Sequence, residues 1–343
     1  MDCFDVHFWR TPAPATRSRI APMDKIAVIA SGGDAPGMNA AIRAVARTAL
    51  ARGVEIWGGW DGYDGIVDNR IQQLTSGSVA GIIGRGGSVI GAGRSTRFFL
   101  PKTRQEAVAR LRKDGFDGIV VIGGEGSLQA AQELHALGFP TVTIPGTIDN
   151  DMPGTEITIG ADTAINTAVE AIDRLKDTAA AHRRAMLVEV MGRHCGYIAV
   201  MAGIATGAEM ILTPERPVEL EDIFHEMSDS GARDKRHFII VVAEGARWRA
   251  AELTNLINGS ANAYEARYTI LGYIQRGGIP TRFDRILATR MGVAATDALL
   301  DQGSGLLATW RHNQVEMRPY DKLEPRSDPW EQALDRVHML TTI

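Results

Sequence analysis

Short apolar runs alternate with longer amphipathic segments along most of the chain. The apolar runs have the length of strands and are almost uninterrupted, as in "KIAVIAS", "GIVVIGG" and "HFIIVVAEG". Between them lie segments with apolar residues at helical spacing, such as "TRQEAVARLRKDG". Near-continuous Val and Ile runs are typical of parallel strands that helices cover on both faces. The pattern therefore predicts an α/β protein with mainly parallel sheets between layers of helices.

The same pattern places the individual elements. The predicted strands are "KIAVIAS", "VEIWGGW", "FDGIVVIGG", "PTVTIPGTID", "AMLVEVMG", "HFIIVVAEGA" and "ARYTILGYIQRGG". The predicted helices are "NAAIRAVARTALARG", "TRQEAVARLRKDG", "SLQAAQELHALG", "ADTAINTAVEAIDRLKDTAAAHRR", "ELEDIFHEMSDSG" and "RFDRILATRMGVAATDALLDQG". The longest apolar stretch, "GYIAVMAGIATGAEMIL", is short for a membrane span and contains Glu209. It predicts a buried helix followed by a strand.

Composition narrows the classes of function. The 343 residues are enough for two domains or one large one. The net charge of -4 gives no basic excess for nucleic acid or an anionic membrane as the main partner. The two cysteines, Cys3 and Cys195, indicate no disulfide framework and fit a reducing cytoplasm. Residues 1–22 lack the apolar core of a signal peptide, and we expect a disordered tail or a misassigned start before Met23.

Glycine and charged residues collect where the predicted strands end. The clusters occupy 31–39, 123–127, 146–151, 191–193, Glu244 and 276–278. Ligands of parallel sheets bind beyond the carboxyl ends of the strands. The six clusters therefore predict one large convergent site.

The first two glycine turns each allow two interpretations. In "SGGDAPGMNAAIR", backbone N–H groups at a helix start favour an anion. Alternatively, Asp34 or Asn39 caps that helix. In "VVIGGEGS", the glycines permit close approach of a phosphate, and Glu125 is a candidate ligand of Mg²⁺. The alternative that Glu125 simply accepts helix N–H bonds is the more common arrangement for such a residue alone.

The third motif, "PGTIDNDMPGT", places two carboxylates two residues apart. One of Asp149 and Asp151 can be a general base, and the other a metal or orientation partner. Asp-Asn-Asp is also common in ordinary turns, which the spacing alone favours.

Five arginines are candidates for phosphate binding, because the guanidinium fork matches phosphate oxygens. They are Arg94, Arg184, Arg193, Arg267 and Arg276. Any one of them alone is more typical of a solvated surface. Arg193 and Arg276 carry more information, because they lie beside glycine in "MGR" and "QRGG".

Six motifs, taken in their order along the chain, resemble those of bacterial-type ATP-dependent 6-phosphofructokinases. They are "SGGDAPGMNAAIR", "VVIGGEGS", "PGTIDND", "TAVEAIDRLKDTA", "VEVMGRHCG" and "LGYIQRGG". The resemblance runs from Lys25 to near Gln302. It implies two Rossmann-like three-layer α/β/α domains with the active site between them. The implied domains are 23–145 plus about 279–320 for ATP, and 146–278 for fructose 6-phosphate, followed by a C-terminal segment 321–343. It also implies a cytoplasmic glycolytic homotetramer that uses ATP and Mg²⁺ to phosphorylate the 1-hydroxyl of fructose 6-phosphate.

The resemblance also assigns roles to residues. It implies that Asp149 is the base, that Thr147 and Asp151 support it, and that Arg193 stabilises the transferring phosphoryl group. The implied substrate-binding residues are Thr147, Ile148, Asp149, Arg184, Met191, Gly192, Arg193, Glu244, Arg267, Tyr273 and Arg276, with Arg184 and Arg267 reaching into a neighbouring subunit's site. The implied nucleotide-binding residues are Gly33, Arg94, Ser95, Gly124, Glu125, Gly126 and Ser127. Glu125 and Asp151 are the implied metal ligands.

Departures from the family pattern refine these expectations. Pyrophosphate-dependent relatives typically carry Asp and Lys where this chain has Gly126 and Gly146, so we expect ATP as the donor. Glu125 replaces the usual Asp, and Tyr273 replaces a His that is frequent in the family. The remaining alternatives are the pyrophosphate-dependent enzyme, a non-catalytic regulatory homologue and another kinase with a similar glycine turn, such as an NAD kinase.

A regulatory site follows from the same resemblance. The implied effector residues are Arg43, Arg47, Lys176, Glu209, Arg233 and Lys235. Lys176 replaces an Arg, and Ser76 lies where another Arg is expected. We therefore predict an anion-binding site with an altered response to ADP or phosphoenolpyruvate. The alternative is a basic subunit interface.

Overall fold

The computed structural model describes residues 23–325, so the prediction for residues 1–22 and most of the C-terminal segment 321–343 lie outside the described residues. The strands are β1 (Lys25–Ser31), β2 (Glu55–Gly59), β3 (Ile71–Gln73), β4 (Gly118–Gly123), β5 (Thr141–Pro145), β6 (Arg184–Val190), β7 (Met210–Leu212), β8 (Phe238–Ala243), β9 (Glu265–Ile270), β10 (Leu306–Arg311) and β11 (Gln314–Pro319). The helices are α1 (Met38–Ala51), α2 (Tyr63–Val67), α3 (Pro101–Lys113), α4 (Glu125–Ala136), α5 (Ala161–His182), α6 (Tyr197–Thr206), α7 (Leu220–Ala232), α8 (Ala250–Asn258) and α9 (Arg282–Leu300).

The strands form two sheets. The larger has seven strands in the order β11-β10-β5-β4-β1-β2-β3, and the smaller has four in the order β7-β8-β6-β9. All neighbours in the smaller sheet are parallel, and β3 and β11 are the antiparallel edge strands of the larger. Every residue of β4 and of β8 is buried, as expected for strands covered on both faces. The predicted α/β class with mainly parallel sheets is confirmed.

Four features of the structure were not predicted: α2, β3, α8 and the hairpin of β10 and β11. The first two have five and three residues, too few to show a period. The hairpin turns at His312 and Asn313, both with positive φ (49° and 63°), as in a two-residue turn of mirror-image type. Its sequence lacks the glycine that usually marks such a turn, so it carried no clear signal.

The chain passes from the larger sheet to the smaller through residues 146–160 and returns through residues 271–281. Asp284, in the first turn of α9, joins the two passages. Its carboxylate accepts hydrogen bonds from the backbone N–H groups of Gly160 and Thr163, both at 2.9 Å, and from Thr163 Oγ1 at 2.5 Å. Burial nevertheless raises the pKa of Asp284 to about 6. The carboxyl ends of both sheets are thereby held near one another.

Within residues 23–325, no helix is long and apolar enough to cross a membrane.

Candidate active site

A cleft of about 280 Å³ lies at the carboxyl ends of β1, β4 and β5, where the sequence places its glycine clusters. Many of the predicted site residues line it together. They are Gly33, Arg94, Ser95, Gly124, Glu125, Gly126, Ser127, Thr147, Asp149, Asp151, Arg193 and Arg276. The cleft thus combines backbone turns, carboxylates and guanidinium groups, which suits a ligand with phosphate groups and a reacting hydroxyl.

The two carboxylates of "TIDND" lie on a braced loop that follows β5. Asn150 takes the left-handed conformation (φ 51°), and its Oδ1 accepts a hydrogen bond from Thr158 N at 2.8 Å. Thr158 Oγ1 donates to the carbonyl of Thr147 at 2.6 Å. The turn function therefore belongs to Asn150, and Asp149 and Asp151 both line the cleft.

Asp149 has the environment of a general base. It is 3% exposed, and its Oδ1 has no hydrogen-bond partner among the described residues. Burial is the main cause that raises its pKa to about 6, and the neighbouring Asp151 adds to the shift, whereas Arg276 and Arg193 oppose it. At neutral pH the group is ionised and still basic enough to accept a proton from a hydroxyl in the transition state.

Two carboxylates fit a magnesium ion. Asp151 Oδ1 is also buried without a partner among the described residues. Glu125 is the first residue of α4, and its exposed carboxylate is 3.5 Å from Gln129 Nε2. No group of three or more His, Cys, Asp or Glu side chains in residues 23–325 forms a metal site. Mg²⁺ commonly takes one or two carboxylates and fills its shell with phosphate oxygens and water, so this donor set fits.

The glycine turns allow close approach of backbone and ligand. A Cβ at Gly123 would lie 2.4 Å from Ser127 Oγ and 2.5 Å from the carbonyl oxygen of Ser31, so only glycine fits there. A Cβ at Gly126 would meet nothing within 4 Å. The turn is therefore tightly packed at Gly123, whereas Gly126 faces open space.

The capping role considered for Asp34 or Asn39 is wrong. The residue before α1 is Gly37 (φ 105°), with no side-chain cap. Asn39 instead fixes the loop at 85–89: its Nδ2 donates to the carbonyl of Arg85 at 3.0 Å, and its Oδ1 accepts from Val89 N at 2.7 Å. The N–H groups at the start of α1 therefore have no side-chain cap.

Two of the three arginines that line the cleft contact neighbouring loops. Arg193 has a left-handed backbone (φ 54°), and its N–H donates to Glu244 Oε1 at 2.6 Å. Arg276 Nη1 donates to the carbonyl of Asp34 at 3.2 Å, and a Cβ on Gly33 would lie only 2.3 Å from Nη1. The Arg276 side chain, which the resemblance assigns to the acceptor phosphate, thus contacts the nucleotide turn directly.

A buried glutamine connects the loops that carry these arginines. Gln275 is fully buried, and its Oε1 accepts a hydrogen bond from Met191 N at 2.9 Å. Its Nε2 is buried and has no partner among the described residues.

The remaining predicted substrate residues lie outside the lining of the cleft. Ile148 is fully buried, and Met191, Gly192 and Glu244 lie in or beside the loop that carries Arg193. Arg184 and Arg267, on the paired strands β6 and β9, both form ion pairs with Glu265, the first with its Nε at 3.1 Å. Tyr273 is 82% exposed.

The predicted effector residues form only a partial cluster. Glu209 is buried, and its Oε1 lies 3.8 Å from Lys235 Nζ and 3.9 Å from His237 Nε2, a residue that the sequence did not indicate. Lys176 donates to the carbonyl of Thr206 and Arg233 to Glu226 Oε1. Arg43 and Arg47, one turn apart on α1, are not joined to Glu209 by any ion pair between described residues.

Comparison with known proteins identifies the family. The family model described as Phosphofructokinase matches residues 25–299. The chain is 48% identical over 311 residues to the ATP-dependent 6-phosphofructokinase of Tolumonas auensis, an alignment that covers 90% of this chain and 97% of that protein. The chain belongs to the phosphofructokinase family. The resemblance found in the sequence motifs is confirmed.

Further phosphofructokinases agree with this assignment. The ATP-dependent 6-phosphofructokinase of Shouchella clausii is 45% identical over 315 residues, covering 92% of this chain and 98% of that protein. The solved structure of phosphofructokinase from Saccharomyces cerevisiae matches with a TM-score of 0.78 and 34% identity over 93% of this chain. This chain spans 48% of the length of the yeast chain.

Sequence reasoning missed the aromatic residues of this phosphofructokinase cleft, Tyr63, Phe98 and Phe99. Tyr63 and Phe98 are stacked with ring centroids 4.2 Å apart, and Tyr63 OH donates to the carbonyl of Ser127 at 2.9 Å. Ser95 Oγ accepts a hydrogen bond from Phe98 N at 3.1 Å, so the predicted nucleotide residue Ser95 also anchors this group. The sequence signal for these aromatic residues was the pair Phe98 and Phe99 at the end of "RSTRFF", the segment that begins with Arg94.

Proposed function

We propose that this chain is a glycolytic kinase that transfers the γ-phosphoryl group of ATP to the 1-hydroxyl of fructose 6-phosphate, giving fructose 1,6-bisphosphate and ADP. The environment of Asp149 carries the proposal. This buried carboxylate has an oxygen without a hydrogen-bond partner among the described residues, feels the positive charges of Arg193 and Arg276, and lines the same cleft as the glycine turn. Membership of the phosphofructokinase family and the name of the relatives, ATP-dependent 6-phosphofructokinase, support it.

The residues of the chain divide the work of phosphoryl transfer. Asp149 accepts the proton of the 1-hydroxyl as that oxygen attacks the γ-phosphorus, and ADP leaves on the opposite side. Arg193 offsets the negative charge of the transferring group, and Arg276 holds the phosphate of the acceptor, because positioning and charge stabilisation supply most of the catalysis in this reaction class. Mg²⁺, held through Glu125 and Asp151, would neutralise charge on the phosphates of the donor.

The space at two glycines supports ATP rather than pyrophosphate as the donor. The open side of Gly126 leaves room for a nucleotide, which an Asp side chain would crowd and repel. A Cβ at Gly146 would lie 3.1 Å from Ile122 Cγ2 and 3.2 Å from Met38 Cε, so a lysine there would require these side chains to move. The chain thus lacks both features that are typical of the pyrophosphate-dependent relatives.

The test is steady-state formation of fructose 1,6-bisphosphate, measured in parallel with ATP and with pyrophosphate in the presence of Mg²⁺. We expect activity with ATP only, and loss of that activity in Asp149→Ala. Asp173→Ala, which changes an exposed carboxylate on α5, is the matched control and should keep wild-type activity. Activity with pyrophosphate would refute the assigned donor. Activity with neither donor would instead favour a non-catalytic homologue.

We further propose a homo-oligomer, a tetramer by the resemblance, in which a neighbouring subunit completes the acceptor site. In the smaller sheet β9 is an edge strand, and large apolar side chains are exposed on it and just after it. They are Tyr268, Ile270, Tyr273 and Ile274. Arg184 and Arg267 lie on this side and outside the lining of the cleft, which is consistent with their acting on another subunit.

Ile270→Asp tests the oligomer. We expect a smaller species in sedimentation and a raised KM for fructose 6-phosphate, whereas Leu100→Asp, another exposed apolar residue, should change neither. An unchanged sedimentation coefficient would contradict the proposed interface.

We also propose an ATP-binding domain and a sugar-binding domain, with the bounds that the resemblance implies. The division of the strands into two sheets supports this proposal.

The effector site is proposed as an anion-binding regulatory site for ADP or phosphoenolpyruvate. The buried Glu209, with Lys235 and His237 beside it, forms one side of the proposed site. Arg43 and Arg47 lie one turn apart on α1 and would complete it from another subunit. Arg43→Ala should weaken the response to both effectors while leaving the activity without effector unchanged. An unaltered response would favour the alternative, a basic subunit interface.

A further inference from the structure

Phe99 is an exposed aromatic residue inside the candidate active site. It lines the cleft and is nevertheless 54% exposed. Large apolar side chains that stay exposed in a concave site commonly contact a ligand. The phosphate-directed roles assigned above leave this ring without a function.

The neighbours of Phe99 hold it in place. It ends a short helical turn, Arg97–Phe99, whose middle residue, Phe98, is buried against Tyr63. Because Tyr63 OH bonds to the carbonyl of Ser127, this turn is fixed to the start of α4 and hence to the glycine turn. Phe99 is therefore presented from a rigid base rather than from a mobile loop.

The rest of the lining divides by chemistry. Arg94, Arg193 and Arg276 suit phosphate groups, and the carboxylates suit a metal ion and a hydroxyl. Gly126 and Ala130, one turn apart on α4, also line the cleft and add little bulk to it. The flat apolar part of a nucleoside triphosphate is its base, and an aromatic ring is the side chain that binds a base through its face.

We propose that Phe99 stacks on the base of the nucleoside triphosphate donor and makes this chain selective for a nucleotide over a donor without a base. The inference rests on the proposed ATP-dependent function and specifies how the donor is recognised. Stacking contacts the face of the base and makes no hydrogen bond to its edge. We therefore expect other purine triphosphates to be accepted with similar affinity, and donors that lack a base to bind more weakly.

The experiment compares Phe99→Ala with wild type by calorimetric titration of ATP and of tripolyphosphate, which carries the phosphates without a base. Removal of a stacking ring should weaken ATP binding about 5- to 150-fold. Tripolyphosphate binding should stay within about twofold of wild type. Phe99→Tyr should restore ATP binding. Leu100→Ala, which changes the neighbouring residue that is exposed outside the cleft lining, is the matched control and should resemble wild type.

Two results would overturn the inference: wild-type ATP affinity in Phe99→Ala, or an equal loss for ATP and tripolyphosphate, which would place Phe99 at the phosphates. Failure of the proposed function is a separate outcome, because it appears as wild-type enzyme that makes no fructose 1,6-bisphosphate from ATP. The binding titrations do not depend on turnover and therefore still test the stacking role in that case.

Discussion

Replacing Asp149 with Asn should make the protein more stable while removing its activity. The substitution keeps the shape of a side chain that is 3% exposed and removes its charge. Burial and Asp151 raise the pKa of Asp149 from 3.8 to about 6. Each pKa unit corresponds to about 1.4 kcal/mol, so ionised Asp149 lowers the free energy of unfolding by roughly 3 kcal/mol at neutral pH.

The pH dependence gives this prediction its sign. The pKa of Asp149 is higher in the folded chain than in the unfolded chain, so the folded chain binds the proton more tightly. The free energy of unfolding contributed by Asp149 therefore falls as pH rises from about 4 to about 6. The destabilisation by ionised Asp149 is fully present above the pKa of the folded chain and disappears below the pKa of the unfolded chain. The advantage of Asn should thus be about 3 kcal/mol at pH 7.5 and roughly 1 kcal/mol at pH 4.5.

Urea unfolding of the ligand-free wild type and Asp149→Asn at both pH values measures this difference. Any constant difference between Asn and protonated Asp cancels when the two pH values are compared. Asp173→Asn, an exposed carboxylate on α5, is the control and should show little change at either pH. An Asn advantage that does not shrink with falling pH would refute the reasoning. The variant should also lose about 10²- to 10⁴-fold in kcat, as expected for loss of a general base.

Three further predictions follow from the site. Because the base must be ionised, log kcat/KM should rise with pH below about 6 and level off above it; a flat profile between pH 5 and pH 7 would exclude Asp149 as the base. Gly33→Ala should displace the Arg276 guanidinium and raise the KM for fructose 6-phosphate, while its urea midpoint stays close to wild type, because the clash is with the end of a flexible side chain; unchanged kinetics would show that the contact is unimportant. Gln275→Leu leaves the N–H of Met191 buried without its acceptor, so we expect a loss of about 1–3 kcal/mol in stability, measured by urea unfolding. Wild-type stability in this variant would contradict the role of that hydrogen bond.

The central part of the fold could be predicted because its sequence is locally consistent. The apolar runs that became β1, β4 and β8 are buried throughout or nearly so, and the long helix α5 shows clear periodicity. The short elements, whose apolar residues show no periodicity, could not be predicted. The hairpin at His312 and Asn313 depends on a turn conformation that these residue types seldom signal.

The site could be predicted only in part. Glycine turns and the "TIDND" carboxylates are local motifs, and the structure brings them together at strand ends as expected. The contact of Arg276 with the backbone of Asp34 joins residues 242 positions apart, so no local pattern could reveal it. The stacking of Tyr63 on Phe98 is likewise a tertiary contact, and apolar aromatic residues read as ordinary core positions until the fold is known.

The hydrogen bonds of Asp284 have a mechanical consequence. One carboxylate fastens the passage before α5 to the passage before α9, at the point where the chain crosses between the sheets. Thr281 bonds to Thr163 Oγ1 at 3.1 Å and to Asp162 Oδ2 at 2.6 Å beside it, so these contacts form one compact joint, about which the two parts rotate more easily than they slide. We therefore expect the two sheets to swing about Asp284 as a pivot, so that the mouth of the cleft widens while its floor keeps its dimensions. Acid that protonates this carboxylate would loosen the pivot itself, since a protonated oxygen accepts hydrogen bonds less well than an ionised one.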